Sequence, residues 1–146
     1  MRPKSDTVVD ASFIVPLIAD ALGPSVRAIS ARTALGRAGG LVAPSLLMFE
    51  ILNALRGGSR ARLLTPKDIA DSLLDAFDLC VHLEPAPDIV VALRISELAD
   101  AHGLTAYDAS SLELALRTKS PLATFDDALA KAARAEGVEV VGVSAN

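Results

Sequence analysis

The sequence predicts an α/β fold, a three-layer α/β/α sandwich around a parallel sheet of roughly five strands. Short apolar segments alternate with longer segments of helical pattern along the whole chain. Strands that are apolar almost throughout are typical of parallel sheets covered by helices on both faces. We see no internal repeat, low-complexity segment or linker in the 146 residues, so we expect a single domain over residues 1–146.

The first half of the chain contains two of the expected strands. Residues 7–11 form a buried apolar segment that ends at an aspartate, and helical patterns follow over roughly 12–22 and 25–38. The second strand is Leu41–Ala43, which lies between glycine and proline. A helix then opens at Pro44, and we expect the glycine pair 57–58 to end it.

The second half contains the other three strands. Thr65 followed by Pro66 predicts the start of a helix that runs to about residue 78. A helix over roughly 86–102 is expected to end at Gly103, and another begins after Thr105. The remaining elements are a strand over 79–83, a strand over 121–125, a helix that starts at the acidic pair after it, and a strand over 138–143.

Composition indicates the compartment and the kind of partner. The single cysteine cannot form an internal disulfide, and acidic residues interrupt the apolar segment near the start, so we expect a cytoplasmic protein without a cleaved signal. No uncharged apolar segment has the length of a membrane span. A net charge of −4 argues against broad non-specific nucleic-acid binding. The positive mean hydropathy, +0.42, suggests an apolar surface that a partner covers.

Three acidic residues lie where they have ordinary structural explanations. Asp10 ends the first strand and precedes a helix, which it would cap. Either Asp126 or Asp127 would cap the helix after the fourth strand, so one of the two is not needed for capping. Asp108 follows Thr105 at the spacing of a capping box. Glu113, five residues further along that helix, is expected to face solvent while Asp108 faces inward.

Glu50 has no such explanation. It lies in SLLMFEILNAL, a segment so apolar that we expect its helix to be buried on all sides. Asn53 shares the face of Glu50 and could orient its carboxylate. An ionised carboxylate inside a protein costs several kcal/mol unless it is paired or bound to a cation. Glu50 therefore either points to solvent or meets something positive.

The four acids Asp10, Glu50, Asp108 and Asp126 can converge at one edge of the sheet. Ligands of open α/β sheets bind outside the carboxyl ends of the strands, where two of these acids lie. Crowded carboxylates raise one another's pKa unless a cation neutralises them. An all-oxygen cluster suits Mg²⁺ or Mn²⁺ rather than zinc. The sequence contains no Ser-His-Asp constellation or glycine-rich phosphate loop that would suggest other chemistry.

Four segments together resemble the PIN-domain ribonucleases, and among them the VapC toxins of bacterial toxin–antitoxin pairs. They are VVDASFIV, APSLLMFEILNAL, LTAYDASSLELAL and PLATFDDAL, in the family's order and spacing. The resemblance implies a Mg²⁺- or Mn²⁺-dependent endoribonuclease whose acids map onto Asp10, Glu50, Asp108 and Asp126. Ser12 and Thr124 occupy positions where the family often has supporting hydroxyls. Asp127 matches a position that is acidic in only some members.

From this resemblance we expect phosphodiester hydrolysis by a water that the cation activates. Asp10, Asp108 and Asp126 are the expected direct ligands, and Glu50 would bind a second ion, bind through water or orient the attacking water. The resemblance also implies a small antitoxin that lays a helix in an apolar groove, which we place at residues 12–38, and a homodimer.

RNA could be steered by an arginine cluster, although a solvated connection explains the same residues equally well. The cluster comprises Arg56, Arg60 and Arg62. The competing functional class is a PIN-like module that binds protein or RNA without catalysis. An Asp-nucleophile phosphatase is disfavoured, because Ser12 stands where that class needs a second aspartate.

Overall fold

The computed structural model describes residues 4–19, 22–23, 25–61 and 63–142. These residues contain one five-stranded sheet in the order β3-β2-β1-β4-β5 with every neighbouring pair parallel. The strands are β1 (Thr7–Val9), β2 (Leu41–Ala43), β3 (His82–Leu83), β4 (Leu122–Thr124) and β5 (Val140–Gly142). In the central strand, Val8 pairs with Val42 on one side and Leu122 on the other.

Helices cover both faces of the sheet. They are α1 (Ala11–Ile18), α2 (Val26–Leu35), α3 (Leu47–Arg60), α4 (Pro66–Asp78), α5 (Ile89–His102), α6 (Ala106–Thr118) and α7 (Asp127–Ala135). Val9 belongs to the core formed with α1–α4, whereas Val8 belongs to the core formed with α5–α7. Successive strand residues point to opposite faces, so this pair separates the two helical layers. The predicted three-layer α/β/α sandwich is confirmed.

Several helix ends follow the predicted chemistry. Thr65 and Asp68 form a reciprocal capping box at the start of α4. Thr105 caps α6 by accepting the N–H of Asp108. Gly103 ends α5 in the left-handed conformation that glycine adopts without strain.

Several helix boundaries were predicted wrongly: α1 ends at Ile18 rather than residue 22, α2 ends at Leu35 rather than residue 38, and α3 begins at Leu47 rather than Pro44. The glycine pair Gly57–Gly58 does not end α3, which continues to Arg60 because helix propensity is weak against tertiary packing. Helix α5 begins at Ile89 rather than residue 86, with Asp88 as its cap. The proline at position 87 disfavours helical conformation at the residue before it.

The third strand is also shorter than expected. It comprises His82–Leu83 instead of residues 79–83, since the two residues after α4 form a turn in which Cys80 has a positive φ of 52°. The interpretation of α3 as buried on all sides is wrong as well, since Phe49 is 67% exposed. The part of the chain described above contains no helix long and apolar enough to cross a bilayer.

Candidate metal centre at the carboxyl edge of the sheet

The four acids come from four elements that meet at the carboxyl edge of the sheet. Asp10 directly follows β1 and Asp126 follows β4, its neighbour in the sheet. Glu50 lies in the first turn of α3 and Asp108 in the first turn of α6. Burial is the main cause that raises the pKa of Glu50 and of Asp108; the charges of Asp10 and Asp108 add to the increase for Glu50, and that of Asp126 adds to it for Asp108.

Asp10 is the most enclosed of the four, with 7% of its surface exposed. Its Oδ1 accepts hydrogen bonds from the Ser12 hydroxyl at 2.7 Å and from the N–H of Phe13 at 3.1 Å. Its Oδ2 accepts from the Thr124 hydroxyl at 2.7 Å. Burial raises the pKa of Asp10 more than these three donors lower it, and the charge of Asp108 adds to the increase. Asp10 also caps α1, as predicted, because its side chain accepts the N–H of Phe13.

The two hydroxyls connect Asp10 to the start of α7. Ser12 Oγ accepts the N–H of Phe125 at 2.8 Å, and Thr124 Oγ1 accepts the N–H of Asp126 at 3.0 Å. Each hydroxyl has one proton and donates it to Asp10, so each accepts the backbone N–H with a lone pair of its oxygen. They hold the carboxylate of one strand against the backbone that follows the neighbouring strand.

Asp108 and Asp126 are both half-buried, and both take part in the N-terminal cap of a helix, α6 for Asp108 and α7 for Asp126. Asp126 is the residue that caps α7, with its Oδ1 accepting the N–H of Leu129 at 2.8 Å. Asp127 lies exposed in the first turn of α7. Partial burial and the charge of Asp126 raise the pKa of Asp108, while a hydrogen bond from the Thr105 hydroxyl at 3.1 Å lowers it.

Glu50 is half-buried, and in the part of the chain that the structure describes it has no hydrogen bond or ion pair. Partial burial is the main cause that raises its pKa to about 7, followed by the charges of Asp10 and Asp108. The expected hydrogen bond from Asn53 is absent, because Asn53 lies on the exposed side of α3. Glu50 is thus a carboxylate beside other carboxylates without a compensating donor.

The donor chemistry of this cluster fits a hard divalent cation. Carboxylate oxygens are ligands that Mg²⁺ and Mn²⁺ prefer, and burial together with neighbouring negative charge raises the pKa of Asp10, Glu50 and Asp108, which a cation would offset. In the side-chain positions described, no three His, Cys, Asp or Glu residues are grouped so as to hold a metal ion. The oxygens of Asp10 contact the hydroxyls of Ser12 and Thr124 instead.

Two of the three arginines predicted to steer RNA lie on α3, toward its C-terminal end from Glu50. At 1.5 Å per residue, Arg56 and Arg60 are about 9 Å and about 15 Å along the α3 axis from Glu50. Both are exposed, and Arg62 lies outside the described residues. The location of Arg60 at the far end of α3 makes it a poor neighbour for a phosphate held by Glu50.

Comparison with known proteins identifies the family. The model of the PIN domain matches residues 7–135. The chain belongs to the PIN-domain family. A search of curated proteins found no match.

Solved structures share the PIN fold at low identity. PAE2754 from Pyrobaculum aerophilum has a TM-score of 0.68 and 23% identity, over 94% of this chain and 84% of that one. VapC20 from Mycobacterium tuberculosis, described as a sarcin-ricin loop cleaving toxin, has a TM-score of 0.65 and 15% identity, over 86% of this chain and 94% of that one. FitAcB from Neisseria gonorrhoeae has a TM-score of 0.57 and 18% identity, over 92% of this chain and 96% of that one.

Two features of this PIN domain were not predicted from the sequence. Arg27 of α2 lies over the ring of Phe125, with 5.5 Å between its Cζ and the ring centroid. Glu113 of α6, expected in solvent, is only 3% exposed and forms an ion pair with Arg117. Both contacts depend on tertiary packing. The i, i+4 spacing of Glu113 and Arg117 was the one available signal.

Proposed function

We propose that this PIN domain is a Mg²⁺- or Mn²⁺-dependent endoribonuclease that acts as the toxin of a toxin–antitoxin pair. The observation that carries the proposal is that Asp10, Glu50, Asp108 and Asp126 lie at one edge of the sheet, where burial and neighbouring carboxylate charges raise the pKa of Asp10, Glu50 and Asp108. Membership of the PIN family and the fold shared with VapC20, a toxin by its description, support it.

Asp10, Asp108 and Asp126 would hold the cation. When bound, a divalent cation lowers the pKa of water and offsets negative charge on the scissile phosphate. Ser12 and Thr124 would keep Asp10 ionised and oriented, since both donate hydrogen bonds to it. The half-buried positions of Asp108 and Asp126 leave their carboxylates accessible to a ligand from solvent.

Glu50 would serve the attacking water. With the cation in place, Glu50 would be an ionised carboxylate with no hydrogen-bond partner among the described residues, so it could accept a proton from the water. The water would attack phosphorus and give one proton to Glu50, the P–O bond to the leaving ribose oxygen would break, and that oxygen would take up a proton from solvent. Asn53 is too exposed to support this role, so the orientation of Glu50 would come from the packing of α3.

The proposed protein partners follow from exposed apolar side chains. Val26 and Ile29 on α2 are 84% and 62% exposed, within the segment where we place the groove for an antitoxin helix. Several apolar residues on α5 are also exposed, and this face would suit self-association as a homodimer: Ile89, Val90 and Leu93.

The test is cleavage of a mixed RNA substrate by the purified protein with Mg²⁺ or Mn²⁺. We expect EDTA to abolish cleavage and Asp108→Asn to reduce it by at least about 100-fold. The matched control is Asp75→Asn, an exposed aspartate on α4 whose replacement should leave the rate unchanged. Cleavage that survives both EDTA and Asp108→Asn would overturn the proposal. RNA binding without cleavage of any substrate would favour a non-catalytic module.

A further inference from the structure

Arg27 contacts the aromatic ring of Phe125, the residue that directly precedes Asp126 in the sequence. It is an exposed residue in the first turn of α2, which is capped by Ser25. Its guanidinium lies over the ring of Phe125, 5.5 Å from the centroid. This distance is within the range in which the face of an aromatic ring attracts a cation.

Phe125 is itself fixed to the catalytic residues. In sequence it lies between Thr124 and Asp126, and its N–H donates to Ser12 at 2.8 Å. Its ring stacks on that of Phe13, with the centroids 5.8 Å apart and an interplanar angle of 20°. The ring is 7% exposed and has little freedom to move. The position of Arg27 is therefore tied to the same backbone that positions Asp126.

The N–H donors of Arg27 have no acceptor among the residues that the structure describes. In the described ranges, its guanidinium makes no hydrogen bond and no ion pair with a carboxylate. Since none of its N–H groups has an acceptor among the described residues, the guanidinium can donate to a ligand while it contacts the ring. The planar fork of a guanidinium matches two oxygens of a phosphate group.

An acidic cluster repels RNA, so a nuclease of this kind needs a fixed cation near it. The arginines of α3 are 9–15 Å along the helix from Glu50, by the estimate of about 1.5 Å per residue. Arg27 contacts the residue that directly precedes Asp126. Because this contact ties its positive charge to the segment that carries Asp126, Arg27 is a candidate to bind a phosphate next to the scissile one.

We propose that Arg27 binds a backbone phosphate of the RNA strand beside the cleavage site and that Phe125 positions its guanidinium. This inference rests on the proposed ribonuclease function, because it assumes that a strand enters the acidic cluster. The ligand is a phosphodiester of single-stranded RNA, recognised without regard to base.

The experiment measures binding of a labelled single-stranded RNA oligonucleotide to the full chain across a series of salt concentrations, with EDTA present so that no cleavage occurs. We expect Arg27→Gln to weaken binding about five- to tenfold at low salt and to reduce the salt slope by about 0.7, the value for one lost phosphate contact on a single strand. Arg27→Lys should recover part of the affinity, because it keeps the charge but loses the planar fork.

Phe125→Leu tests the positioning role, because leucine fills apolar space but has no ring face. We expect Phe125→Leu to weaken RNA binding and to reduce the salt slope, as Arg27→Gln does. In steady-state cleavage it should raise KM and leave kcat unchanged. The matched control is Arg94→Gln, an exposed arginine on α5 in the other helical layer, which should leave binding unchanged.

The two proposals fail in different ways. Wild-type affinity and salt slope in Arg27→Gln would overturn the role of Arg27 even if the protein cleaves RNA. Weakened RNA binding in Arg27→Gln, together with no cleavage by the wild type under any metal condition, would support the role of Arg27 and count against the ribonuclease. A wild-type protein that does not bind RNA would overturn both.

Discussion

The hydroxyl of Thr124 donates a 2.7 Å hydrogen bond to the carboxylate of Asp10, 114 residues earlier in the chain. The same hydroxyl accepts the N–H of Asp126 at 3.0 Å. One side chain therefore joins the ends of β1 and β4 and connects two of the four acids. Its position at the end of a central strand makes it part of both the fold and the candidate site.

Replacing Thr124 with valine keeps the shape of the side chain but removes this hydroxyl. We expect a loss of about 1–3 kcal/mol in the free energy of unfolding, because the buried Asp10 loses a donor and the N–H of Asp126 loses its acceptor. RNA cleavage should also fall, while Thr124→Ser should restore both properties. Denaturant unfolding and cleavage rates measure the effects. Equal stability of all three proteins would contradict the role assigned to the hydroxyl.

Glu50 should make the metal-free protein less stable as pH rises. Its pKa is about 7 in the folded protein against an ordinary value of 4.5, so the folded state binds more protons between these pH values. Stability from Glu50 is therefore lost as pH rises from about 4.5 to about 7. Glu50→Gln should be more stable than wild type at pH 8 by about 1 kcal/mol, a value reduced because water screens this half-exposed group.

Thermal unfolding of wild type and Glu50→Gln at pH 5 and pH 8, in EDTA, measures this effect. Glu97→Gln, an exposed glutamate on α5, is the control. A stability difference between Glu50→Gln and wild type that does not change with pH would show that the carboxylate titrates normally.

The ion pair of Glu113 and Arg117 should contribute more to the free energy of unfolding than an exposed ion pair does. Arg117 Nε donates to Glu113 at 3.0 Å, and its Nη1 lies 3.5 Å from Oε2 of Glu84, which follows β3. Arg117→Ala leaves a buried carboxylate without its partner and should cost about 2 kcal/mol of unfolding free energy. The comparison is Lys67→Ala, which breaks the exposed pair with Asp71 and should have no measurable effect in denaturant unfolding. Similar losses in both variants would refute the distinction.

The glycine pair of α3 should respond unequally to alanine. A Cβ at Gly57 would meet no atom within 4 Å, whereas one at Gly58 would lie 2.7 Å from Cδ1 of Leu64. Gly57→Ala should stabilise the protein by about 0.5–1 kcal/mol because alanine favours the helix. Gly58→Ala should gain less or lose stability, because the buried Leu64 must move. Equal gains in denaturant unfolding would contradict this packing.

Much of the fold could be predicted because local chemistry agrees with the final structure. The apolar segments that end at Asp10 and near Asp126 are strands, and the Thr65, Gly103 and Thr105 signals lie at helix ends. The carboxyl edge of a parallel sheet then brings the two strand-end acids together. Regular periodicity and capping contain enough information for these features.

The remaining features depend on contacts between distant elements. Helix α3 continues through its glycines because Leu55, two residues earlier, is packed in the core. The burial of Glu113 requires α5 to cover α6, and the Arg27–Phe125 contact joins α2 to the end of β4. The sequence around these residues contains no pattern that predicts which distant element each of them contacts.

The central claim is that the four acids form one divalent-cation site, and a calorimetric titration of Mn²⁺ into the purified protein tests it most directly. We predict that wild type and the control Asp75→Asn bind Mn²⁺ equally, and that Asp10→Asn binds it at least about 100-fold more weakly while remaining folded by circular dichroism. Wild-type Mn²⁺ affinity in folded Asp10→Asn would contradict the claim, as would the absence of Mn²⁺ binding by the wild type.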